Sequence, residues 1–170
     1  TVLAINTPTN DTLIAYVTVL PKSTIINNIK FGSALWQASG ASSGNGLQYS
    51  PGSATLDSHD NNTILFDIFN NTGSDVTISW LNASYSHTPT AYYEEVKWGN
   101  NTVASTSNHR YDSGEQVNFS TPRTINNNST VTIELRRFMN KENGNAQPVN
   151  MAGTTFTITF SDNSEITFSL

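Results

Sequence analysis

Thr63-Ile64-Leu65-Phe66-Asp67-Ile68-Phe69-Asn70-Asn71-Thr72-Gly73-Ser74-Asp75-Val76-Thr77-Ile78-Ser79-Trp80-Leu81-Asn82 sets two apolar alternations on either side of a turn. Ile64, Phe66 and Ile68 alternate with Leu65, Asp67 and Phe69. That period of two puts successive side chains on opposite faces of a strand. Val76, Ile78 and Trp80 repeat it. The five residues 70–74 between them are turn formers, with Gly73 free to take a positive φ. The pattern predicts an antiparallel hairpin over 63–82.

The rest of the chain reads the same way. Tyr92-Tyr93-Glu94-Glu95-Val96-Lys97-Trp98 predicts one strand. Val131, Ile133 and Leu135 alternate with Thr130, Thr132 and Glu134. Phe156, Ile158 and Phe160 face one way, Asp162-Asn163-Ser164 turns, and Ile166, Phe168 and Leu170 return. Shorter strands are expected near 24–37, 46–50, 53–57, 102–106 and 115–119. Residues 38–46 and 139–153 read as long excursions. No stretch keeps a helical period, and strands with closely spaced turn signals predict an all-β sandwich.

Composition narrows the function. Of 170 residues, 22 are Asn, 20 Ser and 23 Thr, while only 12% are charged and none is Cys. A net charge of −5 gives no basic face for nucleic acid. Without Cys there is no disulfide scaffold, thiolate zinc site or thiol catalyst. No apolar run reaches the length of a membrane span. Asn, Ser and Thr keep their charge state in acid, where carboxylates near their reference pKa values lose theirs. Such a surface suits an acidic medium.

Sequons of the form Asn-x-Ser/Thr start at Asn10, Asn61, Asn70, Asn82, Asn100, Asn118, Asn127 and Asn128. Their number exceeds chance only modestly for so Asn-rich a chain. Their placement in polar turns between apolar segments is the stronger signal for covalent N-glycans. The chain opens Thr1-Val2-Leu3 without Met or a signal sequence, which reads as an exported protein with its signal peptide removed.

The first 20 residues hold two apolar patches, Val2–Ile5 and Leu13–Leu20, around the polar run 6–11. Either residues 12–20 form the domain's own first strand, or the segment is a tail whose apolar side chains are buried in another molecule. Strand addition to an exposed sheet edge achieves the second. Apolar alternation continuing to Leu170 predicts a last strand packed inside its sheet, so the candidate donor lies at the other end. Its residues are Val2, Leu3, Ile5, Leu13, Ala15, Val17 and Val19. The chain is then a donor tail, 1–20, and a head, 21–170.

A Cys-free, Asn/Ser/Thr-rich all-β chain with the β-rich segment Val2–Leu20 and sequons in its loops resembles the thread filament subunits of thermoacidophilic archaea. Those are similar in fold and assembly to bacterial chaperone–usher pilins. The resemblance implies an immunoglobulin-like β-sandwich lacking one strand. The N-terminal strand of a neighbouring, identical subunit completes it. It implies a glycosylated, extracellular cell-surface filament with a role in adhesion or biofilm formation.

Chemical motifs are sparse. His59, His87 and His109 are the only histidines. Asp57-Ser58-His59-Asp60 could hold a metal ion, though a solvated turn is the plainer reading. Glu94 and Glu95 resemble a paired-carboxylate glycosidase site, but neighbours on a strand point to opposite faces, which predicts that they cannot act together. Asp67 lies among apolar residues and needs a partner if buried. It would either assist an isopeptide cross-link from Lys30 or Lys97 or sit on an outer face. Arg136-Arg137 is too small a basic patch to bind a polyanion. Tyr49, Tyr85, Tyr92, Tyr93, Tyr111, Trp36, Trp80 and Trp98 are candidates for a sugar platform but fit a strand core better. The expectation is a non-enzymatic structural subunit without cofactor or metal. The alternatives are a glycan-binding adhesin or lectin-like module, or a hydrolase carried on a sandwich.

Overall fold

The computed structural model describes residues 46–105, 110–140 and 145–170 in full, and strand backbone alone at 2–6, 12–16, 28–31 and 34–37. Every regular element among the described residues is a β-strand. Near the start, β1 (Val2–Asn6) pairs antiparallel with β2 (Thr12–Tyr16), and β3 (Asn28–Phe31) with β4 (Ala34–Gln37). Among the described residues these two small units pair with no other strand.

The remaining strands build facing antiparallel sheets. The first runs, in spatial order, β11 (Asn101–Ser105), β10 (Glu95–Trp98), β14 (Thr130–Arg136), β7 (Ile64–Phe69) and β5 (Gln48–Tyr49), with β6 (Thr55–Leu56) also on β7. The second runs β13 (Gln116–Ile125), β8 (Val76–Tyr85), β16 (Thr155–Phe160) and β17 (Glu165–Ser169). A short third sheet holds β12 (Tyr111–Asp112), β9 (Ala91–Tyr93) and β15 (Met139–Asn140).

Alternation decides what lies between the layers. Ile64, Phe66 and Ile68 of the first sheet and Phe156, Ile158, Phe160 and Ile166 of the second are fully buried. Full burial of each such side chain stabilises the fold by about 1.5–3 kcal/mol. Rings cross the interlayer space: Phe66 and Phe168 lie 4.8 Å apart, and Trp98 and Phe119 5.6 Å. Offset and edge-on ring contacts of this kind add to area burial.

The predicted hairpin 63–82 is not one. Its turn is real and Gly73 takes φ 90°, but β7 and β8 belong to different sheets. The reason lies in Asn70. Its main-chain N–H donates to the Ser129 carbonyl, and its own carbonyl accepts from Asn128 N–H. The backbone there thus pairs with the entry to β14. Residues 70–75 therefore arch from one layer to the other, and both alternations are satisfied face to face.

Other expectations are corrected too. In β8 the buried series is Ile78, Leu81, Ala83, a step of three, which leaves Trp80 half-buried. Opposite this step, β13 loses register between Asn118 and Arg123, and residues 119–122 form a bulge in which Phe119 stays buried. The predicted strand 92–98 breaks at Glu94, whose N–H donates to the Arg136 carbonyl. Its two pieces, β9 and β10, lie in different sheets. The partner strand breaks at the same level, at Arg137, which takes φ 59°. There the sheet bends over the end of the core. Within the expected excursion 139–153, Met139–Asn140 forms a strand on β9. The last strand, β17, is not enclosed within its sheet: among the described residues it pairs with β16 alone and forms the edge.

Candidate assembly interface

Two openings separate the edges of the layers. One lies between β5 and β17. Tyr49, Gly52, Ala54, Thr167, Phe168 and Ser169 line a groove of about 290 Å³. Its floor is aromatic: the Tyr49 and Phe168 rings stack at 5.2 Å, and Phe168 stacks on Phe156 at 5.6 Å. The Tyr49 hydroxyl accepts from Ala54 N–H at 3.0 Å, which ties the 50–54 turn beside the groove.

The second opening lies between β11 and β13. It has a volume of about 430 Å³ and is floored by Val103, Ala104, Tyr111 and Phe119.

The two differ in what their edges offer. β17 is regular over five residues, and each pairs in unbroken register with β16. The N–H of Phe160 donates to the Ser164 carbonyl, and that of Leu170 to the Thr154 carbonyl. Antiparallel alternation then aims the main-chain N–H and C=O of Glu165, Thr167 and Ser169 off the free edge. On their exposed side chains, the Thr167 hydroxyl bonds Thr157 at 3.1 Å and that of Ser169 bonds Thr155 at 2.8 Å. β13, by contrast, carries the 119–122 bulge with Pro122 inside it, and β11 has a register shift opposite Val96/Lys97. Bulges and proline protect edges from pairing. β17 carries neither.

The donor candidates Val2, Leu3, Ile5, Leu13 and Ala15 lie on β1 and β2, where Leu3 is opposite Ala15 and Ile5 opposite Leu13. Val17 and Val19 lie outside the described residues. All strands of the three larger sheets begin at or after Gln48. The fully described part of the chain begins at Gly46, where a Cβ would collide with Ser164 of the β16–β17 turn.

The sequons fall into distinct settings. Asn61, Asn100, Asn118 and Asn128 are exposed, and Asn10 lies outside the described residues. Asn82 is half-buried. Its amide donates to the Gly114 carbonyl, and its oxygen accepts from Ser84 at 3.2 Å. Asn127 is half-buried too, its oxygen accepting from Gly73 N–H at 3.0 Å. Asn70, expected as a glycan site in an open turn, is instead completely buried.

The chemical candidates resolve into local structure. Asp57 accepts from His59 N–H at 2.8 Å within a turn, and the His59 side chain is 94% exposed. Asp67 sits half-buried on the outer face of the first sheet and accepts from the Thr132 hydroxyl at 2.6 Å. Glu94 and Glu95 do converge, contrary to the strand-face argument, because the strand is broken between them. Arg137 lies 3.8 Å from Glu94 and 3.5 Å from Glu95. Glu95 is buried and also accepts from Arg136 at 3.2 Å and the Thr102 hydroxyl at 2.8 Å. This network braces the sheet bend. Arg136 and Arg137 are thus held to carboxylates.

Tyr49, Tyr92, Tyr93, Tyr111 and Trp98 are buried, and Tyr85 and Trp80 half-buried. Most of these aromatics are therefore core, as the strand pattern predicts, and the Trp36 side chain lies outside the described residues. Among the described residues no helix is long and apolar enough to cross a membrane. No protein-family model, curated protein or solved structure matches the chain.

Proposed function

We propose that this chain is a structural subunit of an exported, N-glycosylated cell-surface filament. Residues 1–20 of one copy add as a strand to β17 of the next and fill the β5–β17 groove. Completed in this way, the head is an immunoglobulin-like sandwich. Adhesion or biofilm formation is the role that fits such a filament, and the chemistry is non-covalent and without cofactor.

The observation that carries this reading is the presence, in one chain, of a regular, unprotected edge and of two strands that join none of the larger sheets among the described residues. β17 presents an open ladder above an aromatic-floored groove. β1 and β2 are each five residues long, as β17 is, and among the described residues pair only with one another. An exposed ladder beside an apolar groove favours strand addition, in which main-chain bonds give affinity and alternate side chains fill the groove.

Deleting residues 1–20 tests it. The truncated head should stay monomeric in negative-stain microscopy and sizing, and should bind a synthetic peptide of residues 1–20. Polymers formed by the truncated head would refute the donor assignment. A full-length chain that remains a monomer and binds glycans on an array would favour a lectin-like module instead.

A further inference from the structure

The structure assigns the sequons to two kinds of work: Asn61, Asn100, Asn118 and Asn128 carry N-glycans, whereas Asn70 is an unmodified clamp between the layers. The assignment rests on the exported, glycosylated reading above. It divides sequons that are indistinguishable as motifs.

N-glycosylation joins a sugar to the side-chain amide nitrogen and displaces one of its two hydrogens. At Asn70 both are in use: Nδ2 donates to the Ser74 carbonyl at 2.8 Å and to the Ile125 carbonyl at 2.9 Å. The oxygen is engaged as well, accepting from Thr72 N–H at 3.0 Å and from the Thr72 hydroxyl at 2.9 Å. Thr72 is the third residue of this same sequon, so the motif is folded onto itself. With Asn70 at 0% exposure, a sugar there would have to displace the arch. Losing one donor would also leave a buried carbonyl unpaired.

The four assigned sites are exposed, and the one side-chain bond among them is at the Asn118 oxygen, which accepts from the Gln116 amide at 2.9 Å and leaves the nitrogen unengaged among the described residues. Asn100 stands in the β10–β11 turn. Asn128 has its side chain in solvent with φ 59°, a conformation Asn tolerates. In the overlapping pair it is Asn127 that is pinned, through Gly73. Asn118 is exposed on β13 at the rim of the β11–β13 opening. A glycan there would screen that opening, while β17, β5 and β6 carry no sequon. The sugars thus cover one opening and leave bare the one proposed to receive the donor.

Glycopeptide mapping of the full chain from its native cells tests the division. The expected result is sugar at Asn61, Asn100, Asn118 and Asn128 and an unmodified Asn70 peptide. Sugar on Asn70 alongside the others would overturn the division and leave the filament reading intact. No sugar at any sequon would overturn the glycoprotein reading together with these sites. The clamp has its own test in full-length chain made without glycosylation. Asn70→Asp, which keeps the acceptor and removes both donors, should lower Tm by roughly 10 °C, and Asn128→Asp by about 2 °C or less. Equal melting of the two variants would refute the clamp.

Discussion

Tyr93 is held almost wholly out of water between Tyr85, Tyr111 and Phe138, and its hydroxyl has no hydrogen-bond partner among the described residues. The ring contributes packing, while the hydroxyl contributes a desolvation cost. Tyr93→Phe keeps the first and removes the second. Denaturant unfolding should show a gain of about 1 kcal/mol, and a loss would mean the hydroxyl is bonded in solution. At this scale the sequence conveyed residue type far better than setting. Nothing within Asn70-Asn71-Thr72 distinguishes it from Asn100-Asn101-Thr102. What buries Asn70 is the carbonyl of Ile125, 55 positions away. Glu94 and Glu95 escape the alternation rule for a related reason. The alternation rule holds within a strand, and the break at Glu94 is imposed by Arg136, which arrives from β14.

Among the elements, β17 bears most directly on the proposed assembly. The Thr167 N–H points away from β16, so proline there removes no main-chain bond of the folded subunit, only the exposed hydroxyl contact with Thr157, but interrupts the outward ladder. Thr167→Pro should leave a head with near-unchanged circular dichroism that no longer forms filaments or captures the 1–20 peptide. Filaments of normal length from this variant would place the joint elsewhere. Strand existence was legible because period two is written locally, as at 64–69, 130–136, 156–160 and 165–169. Strand partnership was not. A hairpin and an interlayer arch use the same Asn, Gly and Ser turn residues, and both leave the same faces apolar. Pairing of β7 with β14 rather than β8 depends on residues more than sixty positions downstream. The edge position of β17 was hidden likewise, since one buried face gives the same alternation to edge and inner strands.

For the molecule as a whole, the bent end of the core concentrates tyrosines. Burial, aided by Asp112, drives the Tyr85 phenol far above its ordinary 10.0. Burial first, then Tyr85, Glu115 and Tyr111, raises Tyr93 well above it, and burial followed by Glu115 raises Tyr111. Below the unfolded value both states hold these protons, and the stabilisation is fully present. Above it the unfolded chain ionises while the folded chain resists, so stability falls as pH climbs toward the folded values. Thermal melting should hold steady up to about pH 10 and then decline, with tyrosinate absorbance rising only as the protein unfolds. A flat melting profile beyond that point would mean the phenols titrate freely. The polar composition that first excluded whole classes of function proves to be divided between surface turns and structural clamps, Asn70 foremost. The chain's passage past Gly46 adds a mechanical consequence. Gly46 abuts Ser164 of the second layer, and two residues later Gln48 joins β7 of the first. In the filament proposed above, a load reaching Gly46 would therefore fall on both layers at once rather than on a single strand.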